Sequence, residues 1–259
     1  MADAFERMRL LYGACAMERL RGAKVAVFGL GGVGGYAVEA LARAGVGGLE
    51  LVDHDRISVS NLNRQILATQ ETVGLWKAEA ARARVAAINP ACEVTARRVF
   101  FLPENEAEFD FTSYDYVVDA IDTVTGKLAL IRCAQACGTP IISAMGTGNK
   151  RDPAQLRVAD IFQTSVCPLA RIMRKECRKR GIRQLKVVFS TEEPLRPPPE
   201  EAAALREEAA AEGSTRRDIP GSTAFVPAAA GLLIAAEVVK DLTGDLLPGS
   251  DGQERGGCV

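Results

Sequence analysis

A chain of 259 residues that is 47% hydrophobic and 25% charged can bury an ordinary soluble core, as one large domain or two small ones. Its formal net charge of −1 excludes a global attraction to nucleic acid, so any basic surface has to be local. Seven cysteines, at 15, 92, 133, 137, 167, 177 and 258, form no C-x-x-C pair, which excludes a structural zinc signature and a secreted disulfide framework. They read as reduced cytosolic thiols. Residues 1–7 lack the basic-then-apolar order of a secretion signal. The longest apolar stretch, 223–236, carries Pro227 and Gly231 and is shorter than the roughly 20 residues of a membrane span, so it reads as a core helix. These features imply a cytoplasmic protein without a membrane span.

In chain order, residues 5–21 predict a helix with Phe5, Met8, Leu11 and Cys15 roughly on one face. Lys24–Phe28 is an apolar run of strand length, residues 36–44 predict a helix, and Leu49–Val52 a second strand ending on Asp53. A loop rich in Asn and Ser follows at 58–63, then an Ala-rich helix over 74–88 stopped by Asn89 and Pro90. Glu93–Arg97 alternates like a strand with one wet face, and Tyr114–Asp119 is a buried strand running into Asp122. A helix over 124–137 and a strand over 140–144 complete a second β-α-β unit. After Gly146 the pattern predicts strands at 156–159 and 186–190 with a basic helix at 168–180 between them. Residues 194–220 are Pro-, Glu- and Ala-rich and predict a mobile loop. Residues 224–242 close the fold as a long apolar helix. Strands alternating with helices over short connections predict an α/β fold: a mostly parallel, Rossmann-like sheet with helices on both faces.

Gly29, Gly31, Gly32 and Gly34 come directly after the first strand and open a helix, which is the context that makes G-x-G-x-x-G informative. The turn must be tight and the backbone must approach a phosphate closely, and the helix start then holds the anion. Asp53, about 20 residues on, stands where such a motif wants a carboxylate for a ribose hydroxyl. The glycines alone would fit a dehydrogenase. The residues beyond Asp53 argue for a triphosphate instead: Asp55, then Asn61, Arg64 and Gln65 in Ser60–Gln65, then Lys77 in a G-L-W-K run. The pyrophosphate of NAD is already served by backbone amides, whereas ATP develops charge as pyrophosphate leaves, and a bidentate Arg with a point-charge Lys stabilises it. Asp122, at the end of the next strand, falls where a carboxylate can hold a Mg2+ ion bridging phosphates.

With G-L-G-G-V-G, D-H-D, S-N-L-N-R-Q, the G-L-W-K lysine and D-A-I-D in this order over residues 25–122, the chain resembles the adenylating superfamily of ubiquitin-activating enzymes and molybdopterin- and thiamine-pathway adenylyltransferases. That resemblance implies an ATP-binding adenylating-enzyme fold in which Asp53 binds ribose hydroxyls and Asn61, Arg64, Gln65 and Lys77 contact phosphates, while Asp122 holds magnesium. Arg7 resembles the N-terminal arginine that reaches the partner subunit's ATP, with Arg9 as the alternative, and this implies a homodimer. One domain over 1–259 is expected, with a nucleotide-binding half at 22–146 and a substrate-binding half at 147–245.

The second half is similar to the tRNA threonylcarbamoyladenosine dehydratases, through Asn149–Pro153, Val158–Ile161, Thr164–Arg171 and Val188–Glu192. The resemblance implies ATP-dependent activation of the threonylcarbamoyl carboxylate on the adenosine next to the anticodon, with release of AMP as the group cyclises. Ring closure within one modified base needs no enzyme nucleophile, so Cys167 and Cys177 read as packing residues. Arg171, Arg174, Lys175, Arg178 and Lys179 recur at helical spacing and line one face with positive charge, a footprint for tRNA backbone phosphates. Two alternatives stay open. One is activation of the Gly-Gly tail of a sulfur-carrier protein, against which the missing zinc pairs weigh; the other is an NAD-binding domain. A sulfur-trafficking protein is a further candidate partner.

Overall fold

The computed structural model describes residues 4–211 and 219–246. Seven strands form one sheet: β1 (Lys24–Phe28), β2 (Gly48–Val52), β3 (Glu93–Arg97), β4 (Tyr116–Asp119), β5 (Ile141–Ala144), β6 (Leu156–Asp160) and β7 (Lys186–Ser190). The spatial order is β3-β2-β1-β4-β5-β7-β6, parallel throughout except that β6 runs antiparallel to β7. The winding therefore reverses between β1 and β4, which opens a crevice at the carboxyl ends of those two strands. The helices are α1 (Glu6–Gly22), α2 (Gly34–Arg43), α3 (Lys77–Ile88), α4 (Val124–Cys137), α5 (Pro168–Lys179), α6 (Pro199–Ala211) and α7 (Val226–Thr243).

Strand alternation decides which layer each side chain enters. Val25 and Val27 of β1 join Leu49, Leu51 and Val118 under α2, α3 and α7, whereas Ala26 and Phe28 face α4. On that second face Phe28 sits among Phe101, Phe109 and Phe111, with ring centroids 5.0–6.0 Å away. Met145, Val187 and Phe189 pack under α5 with Met173 and Cys177. No helix among the described residues is long and apolar enough to cross a membrane, and residues 226–243 form the expected core helix.

Two expectations need correction. The helix predicted from 74 begins at Lys77, because Gly74 takes a left-handed φ of 89° and Trp76 is extended, forming an isolated bridge to Arg56. The stretch 194–220, expected as a mobile loop, contains α6; its Ala- and Glu-rich run has high helix propensity, and that outweighs its low apolar content. The remainder of that stretch at 212–218 lies outside the described residues. Cys92, Cys133, Cys137, Cys167 and Cys177 are free thiols as expected, whereas Cys15 is disulfide-bonded.

Two ionic groups fix elements around the glycine turn, the first joining the helix that it opens to the helix that starts at Lys77. Glu39 of α2 accepts from Arg43 on its own helix at 2.8 Å and from Arg84 of α3 at 2.5 Å. Burial acts to raise the Glu39 carboxyl, but the two guanidinium groups outweigh it and the net shift is downward. The second group is fully buried. Lys127 Nζ donates to both Asp119 oxygens at 3.1 Å, to Ser143 Oγ at 3.2 Å and to the Ala144 carbonyl at 2.8 Å. Ser143 Oγ in turn donates to Asp119 Oδ2 at 2.5 Å. This network ties the ends of β4 and β5 to α4. Lys127→Ala leaves the Asp119 carboxylate buried without its cation, so urea unfolding should show a loss of roughly 3–5 kcal/mol. A paired Asp119→Asn, Lys127→Met variant should lose distinctly less.

Candidate active site

Three strand ends meet at the glycine turn. The Gly29 amide donates to the Val52 carbonyl at 2.8 Å and the Ala120 amide to the Phe28 carbonyl at 2.8 Å, so β2, β1 and β4 leave the sheet side by side. Gly29 has φ of 88°, and a Cβ there would lie 2.6 Å from the Ala120 carbonyl oxygen. A Cβ on Gly34 would lie 1.8 Å from the Gly29 carbonyl oxygen. Both positions are demanded by the protein's own backbone. Gly31 is different: it is outside the left-handed region, and the nearest atom to a Cβ there is Gln65 Nε2 at 3.9 Å. The space above Gly31 is open, so its missing side chain serves close approach from outside. Gly32 lies under Pro227, and α2 starts at Gly34 with its N-terminal amides directed at the turn.

Asp53 closes the turn from β2. Its Oδ2 accepts from the Leu30 amide at 2.7 Å and its Oδ1 from the Asp55 amide at 2.8 Å. Each oxygen keeps a second lone pair, which suits a ribose hydroxyl. Asp55 holds Lys77 through an ion pair of 2.8 Å, and the Lys77 amide donates to the Asp55 carbonyl at 3.0 Å. Lys77 is 5% exposed, so its ammonium is held at a fixed point. His54 lies 3.2 Å from Asp55 and rests tilted against Phe100, with ring centroids 4.4 Å apart. Asp53, His54 and Asp55 offer ligand atoms within 4.8 Å of one another, but the carboxylates are engaged by two amides and by Lys77. The cation that this group balances is Lys77. Asp122 stands exposed between β4 and α4 at the same end of the sheet, where a divalent ion would meet an oxygen ligand.

Residues 59–61 form a 3-10 turn closed by Asn61, whose Oδ1 accepts from the Ser58 amide at 3.3 Å. Its carbonyl accepts the Arg64 and Gln65 amides at 3.1 and 2.9 Å. Arg64 Nη1 donates to the Ser60 carbonyl at 2.7 Å and to Asn63 Oδ1 at 3.0 Å. Gln65 is buried, and its Oε1 has no hydrogen-bond partner among the described residues. That oxygen is an acceptor, which a donor such as a hydroxyl or an ordered water completes, whereas the donor Nε2 is the atom nearest the open space over Gly31. The residues present thus fit a nucleotide.

Arg7 and Arg9 lie exposed on α1, whose start packs Phe5 against Gly45 beyond the far end of α2. The length of α2, about 15 Å, separates that start from the glycine turn of the same chain. Leu10 and Leu11 beside them are 79% and 74% exposed.

Helix α5 buries Ala170, Met173 and Cys177 and leaves Arg171, Lys175, Arg178 and Lys179 exposed. Arg174 departs from the predicted stripe: it borders the buried face, and its guanidinium folds back onto the Thr164 carbonyl at 2.9 Å and onto the Thr164 hydroxyl. Lys179 pairs with Glu176 at 3.1 Å, and Arg178 lies over the Phe162 ring at 5.3 Å. Cys167 is buried at the start of α5, and burial pushes the Cys177 thiol up, away from nucleophilic use.

Sequence reasoning missed several residues at this end of the sheet. The Asp119, Lys127 and Ser143 network was hidden because a lysine on a helix reads as solvated; opposite charges flanking the strand end were the available signal. Lys150 is buried with its Nζ 3.2 Å from the Ser190 carbonyl, and burial pushes its ammonium down against the opposing influence of Cys167 and Glu192. Asn149, at φ of 59°, exchanges two hydrogen bonds of 2.7 Å with Gly221. A separate cavity of about 1250 Å³ opens at the amino ends of β5 and β7, lined by Tyr116, Lys186, Glu237 and Asp241. Its Lys186 is held by Glu237 and Asp241 at 3.1 and 2.7 Å, and it lies at the wrong end of the sheet for the glycine turn.

Comparison with known proteins places this geometry. The family model described as ThiF matches residues 5–254. The chain is 41% identical over 247 residues to the tRNA threonylcarbamoyladenosine dehydratase of Bacillus subtilis, covering 95% of this chain and 97% of that one. Crystal structures of the E. coli tRNA N6-threonylcarbamoyladenosine dehydratase, TcdA, in complex with ATP and with AMP superpose with a TM-score of 0.80 at 34% identity. The ATP complex covers 92% of this chain and 93% of that chain. A sulfur carrier protein adenylyltransferase of Thermus thermophilus is 39% identical over 142 residues, covering 54% of this chain and 52% of its own.

The glycines make a separable prediction. Gly31→Ala should leave the melting temperature unchanged and weaken nucleotide binding about tenfold or more, some 1.4 kcal/mol by titration calorimetry. Gly29→Ala should destabilise the fold by about 1–2 kcal/mol through its left-handed backbone, with the contact to Ala120 adding to this.

Proposed function

The chain belongs to the ThiF family, and from that premise we propose that it catalyses the ATP-dependent cyclising dehydration of N6-threonylcarbamoyladenosine next to the tRNA anticodon. One observation carries the reading: the likeness to a dehydratase of that name spans nearly the whole of both chains, and the open glycine cradle, with the Gln65 Nε2 donor beside it, suits a nucleotide. The carboxylate of the threonylcarbamoyl group attacks the α-phosphorus of ATP, and pyrophosphate leaves. A nucleophile within the same modified base then closes the ring and expels AMP, so the net change in the tRNA is the loss of one water. Both reacting atoms belong to one substituent, and proximity supplies much of the acceleration.

In this reading Asp53 holds the ribose hydroxyls, and the Gly29–Gly34 amides, Asn61 and Gln65 hold phosphates. Arg64 and Lys77 stabilise charge that develops on the departing pyrophosphate. Lys77 is suited to this because Asp55 fixes its ammonium and the surrounding structure excludes water from it. Arg64 must turn from its loop carbonyl toward the ligand, an exchange of one acceptor for another. Asp122 would hold magnesium, whose charge would further neutralise the triphosphate. Arg7, or Arg9, enters the site from a second copy of the chain, and the exposed Leu10 and Leu11 supply apolar surface for that homodimer. We treat the chain as one adenylating domain, at work in the cytoplasm where its tRNA is. Activation of a sulfur-carrier tail is the more distant reading, since that likeness covers about half of each chain and no C-x-x-C pair occurs.

Mass spectrometry of tRNA incubated with the protein, ATP and magnesium should show threonylcarbamoyladenosine losing one water, with AMP and pyrophosphate formed in step. Unchanged tRNA, with pyrophosphate exchange appearing only on addition of a Gly-Gly-ended carrier protein, would replace this reading by the other. Reversing Arg171, Lys175 and Arg178 together to Glu should weaken tRNA binding and reduce the slope of log affinity against log salt by roughly 0.7–0.9 for each phosphate no longer neutralised. An unaltered slope would return this helix face to plain solvation.

A further inference from the structure

Residues 221–227, leading into α7, are stitched to the active-site loops on both sides of one exposed ring. On one side Asn149 exchanges its two hydrogen bonds with Gly221, and Asn63 Nδ2 donates to the Ser222 carbonyl at 3.1 Å. On the other side the Pro227 ring lies 3.1 Å from where a Cβ on Gly32 would be, and Gly231 allows α7 to press against Val33 and Tyr36. Phe225 stands between these anchors, three residues from the Asn63 contact and two from the Gly32 contact, and is 64% exposed. Every other aromatic side chain among the described residues is buried or half-buried except Phe100, which rests against His54. No other ring lies against Phe225 among the described residues. An exposed aromatic ring on an anchored backbone beside a nucleotide cradle is an arrangement by which proteins receive an unstacked base.

We propose that Phe225 is the platform on which the substrate's modified purine stacks, holding the base so that its carboxylate-bearing substituent reaches the glycine turn. The inference rests on the proposed reaction and adds a substrate-positioning residue to it. The two-sided anchoring matters because a base must be held to within a fraction of an ångström for in-line attack, and a ring with only two side-chain torsions on a fixed backbone loses little freedom when it binds.

The test uses full-length protein and tRNA carrying threonylcarbamoyladenosine, with Phe225→Ala, Phe225→Leu and Phe225→Trp. Stacking predicts that Ala and Leu raise the KM for tRNA about tenfold or more, that the KM for ATP stays within twofold, and that Trp restores the wild-type value. Full restoration by Leu would overturn the proposal, since apolar cover would then suffice, as would equal losses for ATP and tRNA. A shift from dimer to monomer in light scattering with Ala or Leu would assign the ring to a contact between copies instead. Normal tRNA kinetics for all three variants would sink the stacking role alone and leave the proposed reaction standing. A wild-type protein inert on this tRNA would sink both. Leu preserves most of the side-chain volume, so a melting temperature lowered only in the Ala variant leaves the Leu and Trp comparison decisive.

Discussion

The Asp53 carboxylate, shared between the amides of Leu30 and Asp55, joins the two segments on which the candidate site depends. It sits where the sheet reverses its winding, so the loop after β1 and the loop after β2 are both drawn toward one crevice. Without that pin the glycine turn would keep its tight geometry, which Gly29 and Gly34 impose through backbone contacts, but would lose its register to the Asp55–Lys77 pair. A buried or half-buried carboxylate accepting backbone amides is worth more than a surface pair because water competes poorly for it.

Cations at this end of the molecule divide by what surrounds them. Lys127 is fully buried, and its three N–H donors, shared among four acceptor atoms of Asp119, Ser143 and Ala144, commit its charge to joining β4, β5 and α4. Lys77 is buried with one carboxylate partner, Asp55, two residues beyond Asp53 of the glycine turn. Arg64 keeps its guanidinium on loop oxygens at the surface of the same region. The number of acceptors around each group, more than its residue type, separates a structural cation from one available to a ligand.

The region after β5 does a different task. Asn149, in a left-handed conformation that Asn tolerates better than most residues, binds the 195 and 221 segments at once. Through Gly221 and Ser222 the approach to α7 is fixed, and the first turn of that helix then leans on Gly32. The second half of the chain thereby builds one wall of a crevice whose floor comes from the first half. Helix α5 lies apart from this wall on the other face of the sheet, presenting its basic residues outward over the Met173 and Cys177 contact.

How much of this was legible depends on the range of the interactions. The glycine turn, Asp53 and the Ser60–Gln65 loop were readable because each is set by local stereochemistry: a tight turn, a strand ending, a short capped turn; the start of α3 at Lys77 was misplaced by three residues because the Arg56 bridge holds Trp76 extended. The alternation of strands and helices was readable for the same reason, since side-chain period is a property of neighbours in sequence. The tertiary structure alone decided that Lys127 is buried and that Arg174 turns back onto Thr164. It alone set Asn63 against Ser222, 159 positions away, and left Phe225 exposed beside Gly32. These outcomes depend on which distant backbone atoms come within hydrogen-bonding or van der Waals reach. Residue type and period carry no record of that until the sheet has brought the segments together.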